Sequence, residues 1–392
     1  MHLDRIMPVA VLQLGLALMP MAAQGQVLLA EDFEGPARAG SLLENWSYFD
    51  PQANVGQLTG AAARRGTQGF RVIDLGGPSD NRQVGLGTRA YPPQGSAYAR
   101  AFVRLDGLQG PGRTYLLGLD IVPGDNGQTQ VSLAVDGPEL RTVLLGKRLN
   151  MSRLEASGGV LQRQRWTLLE VLLTNTGSPN ACARFAIDGV VAAESCGLDF
   201  GGMRFGQFSL GFTYQLGGTP SGTGDFDDAV FDDAPVASKL VLSSEVRAVR
   251  AQDCVAVRGE LRGTFMPAPS PAPFDELVAV ADPFDVFEDS ACQLRLEGLP
   301  VRAGSTSVAA FVRARVNGVV ALGAQPRSVL LESEPTFEVT GAASSAPAQA
   351  LTTCGCSLTA WPAASVALLS ALSRRRRPRQ LEVLEARRHG GA

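Results

Sequence analysis

The chain has 392 residues, 45% hydrophobic, 19% charged and only 6% aromatic, with a formal net charge of −3, which is length enough for two domains with cores of their own. Residues 26–353 carry 27 basic and 35 acidic side chains, a balance of −8, which argues against nucleic acid or an anionic membrane surface as the main partner. The two histidines, His2 and His389, lie in the outermost segments, so the body between them lacks the base of a Ser-His-Asp or Cys-His unit and the ligands of a histidine-held zinc or iron site.

At the N-terminus, Arg5, the apolar run Ile6 to Met21 and the small residues Ala22, Ala23 and Gly25 read as a secretory signal peptide over 1–25. A first membrane helix is the alternative, but Pro8, Gln13 and Pro20 interrupt the run and it is short.

From 26 to 238 the pattern is short alternating apolar runs separated by Gly, Pro, Asn and Asp, the mark of an all-β sandwich. The runs are Ala97 to Leu105, Thr114 to Ile121, Thr129 to Val135, Trp166 to Thr174, Ala183 to Ile187, Gln207 to Thr213 and Phe226 to Phe231. In the first, Ala99, Ala101, Val103 and Leu105 share one face while Tyr98, Arg100, Phe102 and Arg104 share the other. Asp136-Gly137 and Asp188-Gly189 supply hairpin turns. Cys182 and Cys196 flank the second turn symmetrically, opposite each other on a hairpin with a three-residue loop, a geometry that a disulfide can bridge. Two free buried thiols are the other reading.

Five features come in a recognisable order: Glu31-Asp32-Phe33-Glu34-Gly35, Trp46, the Arg165-Trp166 strand, the Phe185 to Gly189 hairpin, and the closing Gly224 to Asp232 run. Together they resemble the concanavalin A-like (laminin-G-like) jelly-roll family, over about 27–238. The resemblance implies two curved antiparallel sheets that bind glycans or, in some branches, hydrolyse them. It also implies that the first and last strands lie side by side, bringing Glu31 and Asp32 near Asp225, Asp227 and Asp228. Such carboxylates suit a structural calcium ion; alternatively Asp227 and Asp228 cap a turn and their neighbours face solvent. A retaining glycosidase of this fold needs two carboxylates on one strand, as Glu-x-Asp-x-x-Glu, and no such run occurs between 27 and 340. The central strand carries Glu170 alone, and the expectation is a protein that is not an enzyme. Tyr98, Arg100, Phe102 and Arg104 form the candidate surface for a sugar, the rings meeting C–H groups and the polar ends meeting hydroxyls. The competing reading is that this face packs.

Residues 239–334 read as a smaller β-sandwich of immunoglobulin-like size, with strands at Glu245 to Val255, Val257 to Leu261, Leu277 to Val280, Cys292 to Leu296, Val308 to Val316 and Val329 to Glu332. Cys254 and Cys292 would bridge it, and Met266 to Pro273 reads as a loop. Residues 335–353, rich in Ala, Ser, Thr and Gly, read as a flexible linker.

The tail, 354–392, joins Cys354 and Cys356 to an uncharged apolar run from Ser357 to Ser373 and then to Arg374, Arg375, Arg376 and Arg377. The run falls just short of a comfortable membrane span, and the arginines would hold its end on the cytoplasmic side. The arrangement resembles the MYXO-CTERM sorting signal of myxobacterial surface proteins, except that the chain continues from Gln380 to Ala392. That resemblance implies membrane engagement through the tail, its removal by a sorting protease at Cys354 or Cys356, and retention at the cell surface. The sequence therefore predicts an exported surface protein whose partner is an extracellular polysaccharide, or another surface protein if there is no sugar site.

Overall fold

The structure is a computed structural model, and it describes residues 27–35, 46–49, 55–75, 84–92, 94–121, 130–147, 155–216 and 221–341. The signal segment, Cys354, Cys356 and Arg374 to Arg377 lie outside the described residues. Apart from one 3-10 turn at Gly60–Ala62, every regular element among them is a β-strand.

Two antiparallel sheets make the first part. One runs from edge to edge as Val190–Leu198, Ala181–Ile187, Thr167–Thr174, Ala97–Leu105, Gly222–Asp232, Gly69–Asp74 and Val55–Thr59. Leu29–Glu31 joins it by pairing with Gly222–Asp232, Glu31 opposite Ala229, so the first and last strands of the sandwich are neighbours. The second sheet runs as Glu155–Val160, Arg141–Lys147, Gln130–Asp136, Arg113–Ile121, Phe205–Leu216, Val84–Thr88 and Trp46–Phe49. Over their described residues, the seven alternating runs found in the sequence fall on strands of these sheets, except that Trp166 stands one residue before Thr167–Thr174.

The period-2 alternation decides which face is inside. Ala97, Ala99, Ala101, Val103 and Leu105 enter the core, together with Leu169, Val171 and Leu173 of the neighbouring strand. The small alanines sit among large rings: Trp46 packs on Phe208 within the facing sheet at 5.8 Å, and Phe208 reaches across to Phe231 of the first sheet at 6.1 Å. Burial of these rings is the main favourable term, roughly 25 cal/mol per Å² of apolar surface removed from water.

The Asp188-Gly189 turn is one residue shorter than the symmetric spacing of the cysteines suggested, because Ile187 pairs with Val190 and leaves a two-residue loop. Both loop residues have positive φ, 48° and 71°, as a turn that matches the twist of its strands requires. A bulge between Phe185 and Ala186 restores the register, so that Cys182 lies opposite Cys196 with Cα atoms 4.0 Å apart, and the two form a disulfide.

A second core gathers Leu240, Leu242, Val257, Leu261, Val278, Val308, Val312, Phe337 and Val339. It is built from a six-stranded sheet and two three-stranded sheets. Four expectations change here. Glu245 to Val255 is not one strand, since Ala248–Arg250 is extended, a turn follows it and Val255 begins the next strand. Cys292 to Leu296 is a strand only at Arg295–Leu296, Cys292 taking φ 52° in the turn before it. The expected linker begins too early, because Thr336–Thr340 is a strand between Ala248–Arg250 and Gly318–Ala321 and buries Phe337 and Val339. Cys254 and Cys292 are bonded, but their bridge joins two places beside one sheet: the start of Val255–Arg262 and the turn after Phe284–Phe287.

The Cys254–Cys292 bridge spans 38 residues and the Cys182–Cys196 bridge 14. Loop-closure entropy then gives the longer one the larger effect, about 4 against about 3 kcal/mol. Paired Cys→Ala variants followed by urea unfolding should show that order.

Candidate functional site

The residues singled out in the sequence meet on the outer face of the first sheet, and cross-strand register arranges them in rows. The outermost row runs Gln57, Arg71, Asp225, Arg104 across four strands, with Gln57 opposite Arg71, Arg71 opposite Asp225 and Asp225 opposite Arg104. Trp166 continues it, one residue before the Thr167–Val103 pair. The next row holds Asp227 opposite Phe102 and Phe102 opposite Leu168; then come Arg100 opposite Glu170, and Tyr98 opposite Leu172.

Of the four residues expected to meet sugar, Tyr98, Arg100 and Phe102 are buried, and they line no open surface. The C-terminal β region, from Ala237 onward, covers Tyr98 and Arg100, and the Arg64 guanidinium lies over the Phe102 ring. The Arg100 guanidinium donates to the carbonyls of Ala237 and, at 2.7 Å, Ser328. Tyr98 packs edge-on against Phe265 at 6.3 Å and donates its hydroxyl to Glu170 at 2.8 Å. Glu170 also accepts from the Ser238 and Thr264 hydroxyls of the covering region. Burial, reinforced by Glu170, pushes the Tyr98 phenol well above its ordinary pKa. A face that alternates ring and arginine is therefore the seam between two cores, where each buried polar group needs a partner.

The five residues expected to ligate calcium each meet protein donors. Asp225 is held by two guanidiniums: Arg71 Nε lies 2.6 Å from Oδ1, and Arg104 Nη2 lies 2.6 Å from Oδ2. Asp227 accepts from the Arg64 N–H at 2.8 Å and the Asp228 N–H at 2.9 Å. Asp228 lies 3.2 Å from Arg327 Nε and 3.8 Å from Arg64 Nη1. Asp32 offers its carbonyl to Arg327 at 3.0 Å, and Glu31 accepts from the Trp46 indole at 3.2 Å. Asp225 and Asp228 are thus paired with arginine charge. Among the described residues, the one group of His, Cys, Asp and Glu side chains with metal-ligand spacing is Cys182, Glu194 and Cys196, and its sulfurs are bonded to each other.

A bulge explains how Asp227 and Asp228 both reach Arg64. The register slips by one residue between Asp227 and Val230, and Asp228 takes φ 48°, a left-handed conformation that Asp tolerates better than most residues. Burial first, and then the adjacent Asp228, raises the Asp227 pKa; burial raises that of Asp228 as well. Burial also lifts Asp232 from 3.8 to about 7 and lowers Arg64 to about 10.

The outer row is the accessible part of the face. Arg71 and Arg104 keep 24% and 26% of their side-chain exposure, Gln57 is exposed and Trp166 is half-buried. The Arg104 guanidinium lies 4.9 Å from the Trp166 ring centroid, a stacking contact between a cation and an aromatic face. Trp166, Arg71 and Arg64 were not singled out as site residues in the sequence. The signal for Trp166 was its place at the head of the Trp166 to Thr174 run; Arg71 and Arg64 carried none, because their partners are distant in sequence. A second concavity of about 320 Å³ lies between Leu242, Ser243, Ser244, Arg247, Glu334, Pro335 and Thr336, and it has no ring on which a sugar could stack.

No family model matches the chain, and no curated protein matches it. Among solved structures it is similar to Cellulose induced protein, Cip1 (TM-score 0.38, 16% identity, 53% of this chain and 97% of that one). It is also similar to endo-beta-1,4-glucuronan lyase from Trichoderma reesei (0.40, 10%, 53% and 96%). A third is a protein with a galectin-like fold from Bacillus subtilis (0.34, 12%, 53% and 96%). At these scores nothing about ligand or activity is carried over from them.

Asp232 gives a signed pH prediction. Its folded pKa lies above the unfolded value, so its contribution is fully present below pH 3.8 and is lost as pH rises through about 7. Asp227 acts in the same direction. The full chain should melt at a lower temperature at pH 8.5 than at pH 5, and Asp232→Asn should narrow the difference.

Proposed function

We propose that this is an exported, surface-retained, non-catalytic binding protein, and that the row Gln57, Arg71, Asp225, Arg104 and Trp166 is where it meets a saccharide. The observation that carries the reading is the half-buried Trp166 indole against the Arg104 guanidinium, which Asp225 holds in place together with that of Arg71. It combines an apolar ring with fixed polar groups, and sugar recognition uses both. The two disulfides suit an oxidising compartment, and export with removal of the tail accounts for the terminal segments.

The carboxylates favour binding over hydrolysis. Glu170 is buried and engaged by Tyr98, Ser238 and Thr264, and Asp225 is committed to two arginines. Neither is poised to transfer a proton to a substrate.

Titration of the full chain with a neutral glucan hexasaccharide and with a hexauronate should change its tryptophan fluorescence, and Trp166→Phe should abolish the change. Trp166→Ala should weaken binding at least tenfold, about 1.4 kcal/mol. A correctly folded chain that binds neither sugar at millimolar concentration would favour the second reading, a structural or adhesive surface protein. Because arginines occupy the carboxylate cluster, a chelator should leave the melting temperature unchanged. A fall in that temperature would return calcium to the site.

A further inference from the structure

The segment between Val55–Thr59 and Gly69–Asp74 crosses the outer face of the first sheet, and it touches both the binding row and the C-terminal β region. At the row, the Ala61 carbonyl accepts from Arg71 Nη2 at 3.2 Å and also from Arg104 Nη2. It is a shared acceptor that, together with Asp225, sets the direction of both guanidiniums. Three residues later, the Arg64 N–H donates to Asp227 at 2.8 Å while its guanidinium lies 3.5 Å above the Phe102 ring. Arg65 Nη1 donates to the Pro326 carbonyl, which belongs to the C-terminal β region. At the far end, Glu34 accepts from the N–H groups of Thr67 at 2.9 Å and Gln68 at 3.3 Å. Arg327, the residue after Pro326, stands 3.6 Å from Glu34.

The segment has little freedom between these ties. Gly66 has φ +103°, and a Cβ there would come within 2.2 Å of Glu34 Oε1, so the backbone closes directly on that carboxylate. Only Ala61 to Arg65 separates the row from the tie to Pro326. A short segment fixed at both ends passes a displacement along instead of absorbing it, and a binding group held by a supporting shell is only as well placed as that shell.

We propose that Arg65 is a positioning residue for the binding row: by tying its segment to the Pro326 carbonyl it holds the Ala61 carbonyl where that oxygen orients Arg71 and Arg104. Through this segment the C-terminal β region sets the geometry of the saccharide site. The functional meaning rests on the binding reading given above; the structural coupling does not, and it is tested without ligand.

The full chain, labelled with 5-fluorotryptophan, reports on its three indoles separately by 19F NMR, the Trp166 signal being assigned with Trp166→Phe and the tail signal with Trp361→Phe, which leaves that of Trp46. Arg104→Ala removes the stacked guanidinium and fixes the scale of the shift. Arg65→Ala should move the Trp166 signal by at least half of that displacement and leave Trp46 in place, and Arg65→Lys, which can still donate to the carbonyl, should recover most of it. A Trp166 signal unmoved in Arg65→Ala overturns the proposal. So does movement of both signals together, which marks general loosening, or an Arg65→Lys signal as displaced as that of Arg65→Ala. Failure of the sugar titration would remove the binding reading and leave this result standing.

Discussion

The structure depends on a requirement that follows from burying ionisable groups: Arg100 and Glu170, facing each other on adjacent central strands, are removed from water and must be satisfied there. An uncompensated charge in such a place costs several kcal/mol, and the sheet alone cannot supply the partners. The carbonyls of Ala237 and Ser328 and the hydroxyls of Ser238 and Thr264 supply them. The C-terminal β region is therefore the complement of the jelly roll's outer face, and the small apolar cluster of Tyr98, Leu172, Val230 and Val236 between them is rimmed by polar bonds.

That seam divides the face by function. The rows of Tyr98, Arg100 and Phe102 serve cohesion, while the row through Arg104 remains accessible. Aspartates do different work in the two zones. Asp225 orients arginines near solvent; Asp227 and Asp228, brought together by a bulge, meet Arg64 and Arg327 in the interior. Arginine is suited to both tasks, since its planar fork binds a carboxylate or two carbonyls at once. This gives the chain's near-exclusive use of arginine as its basic residue a structural use, whatever the origin of that bias.

The alternating runs from Ala97 to Phe231 place strands, faces and core residues correctly, because a period of two is a local property that burial on one side enforces. The Cys182–Cys196 disulfide was legible for the same reason, since the spacing of its cysteines about Asp188-Gly189 is a local measurement, although the bulge at Phe185 was not visible. The strand Thr336–Thr340 was missed because its neighbours Pro335 and Gly341 and its small polar residues look like a linker. Only its pairing with two distant strands makes it part of a core.

The sequence by itself determined that this is an all-β chain, which residues of each strand share a face, and that its central region has no histidine with which to build a catalytic unit. The tertiary structure alone decided which outward face would be covered, and so turned most of a ring-and-arginine strip into a seam and set arginines against the aspartates of the closing strand. The physical reason is range. Alternation and turn chemistry act over a few residues, whereas the partners that neutralise Asp225, Asp228, Arg100 and Glu170 lie between 68 and 228 residues away along the chain.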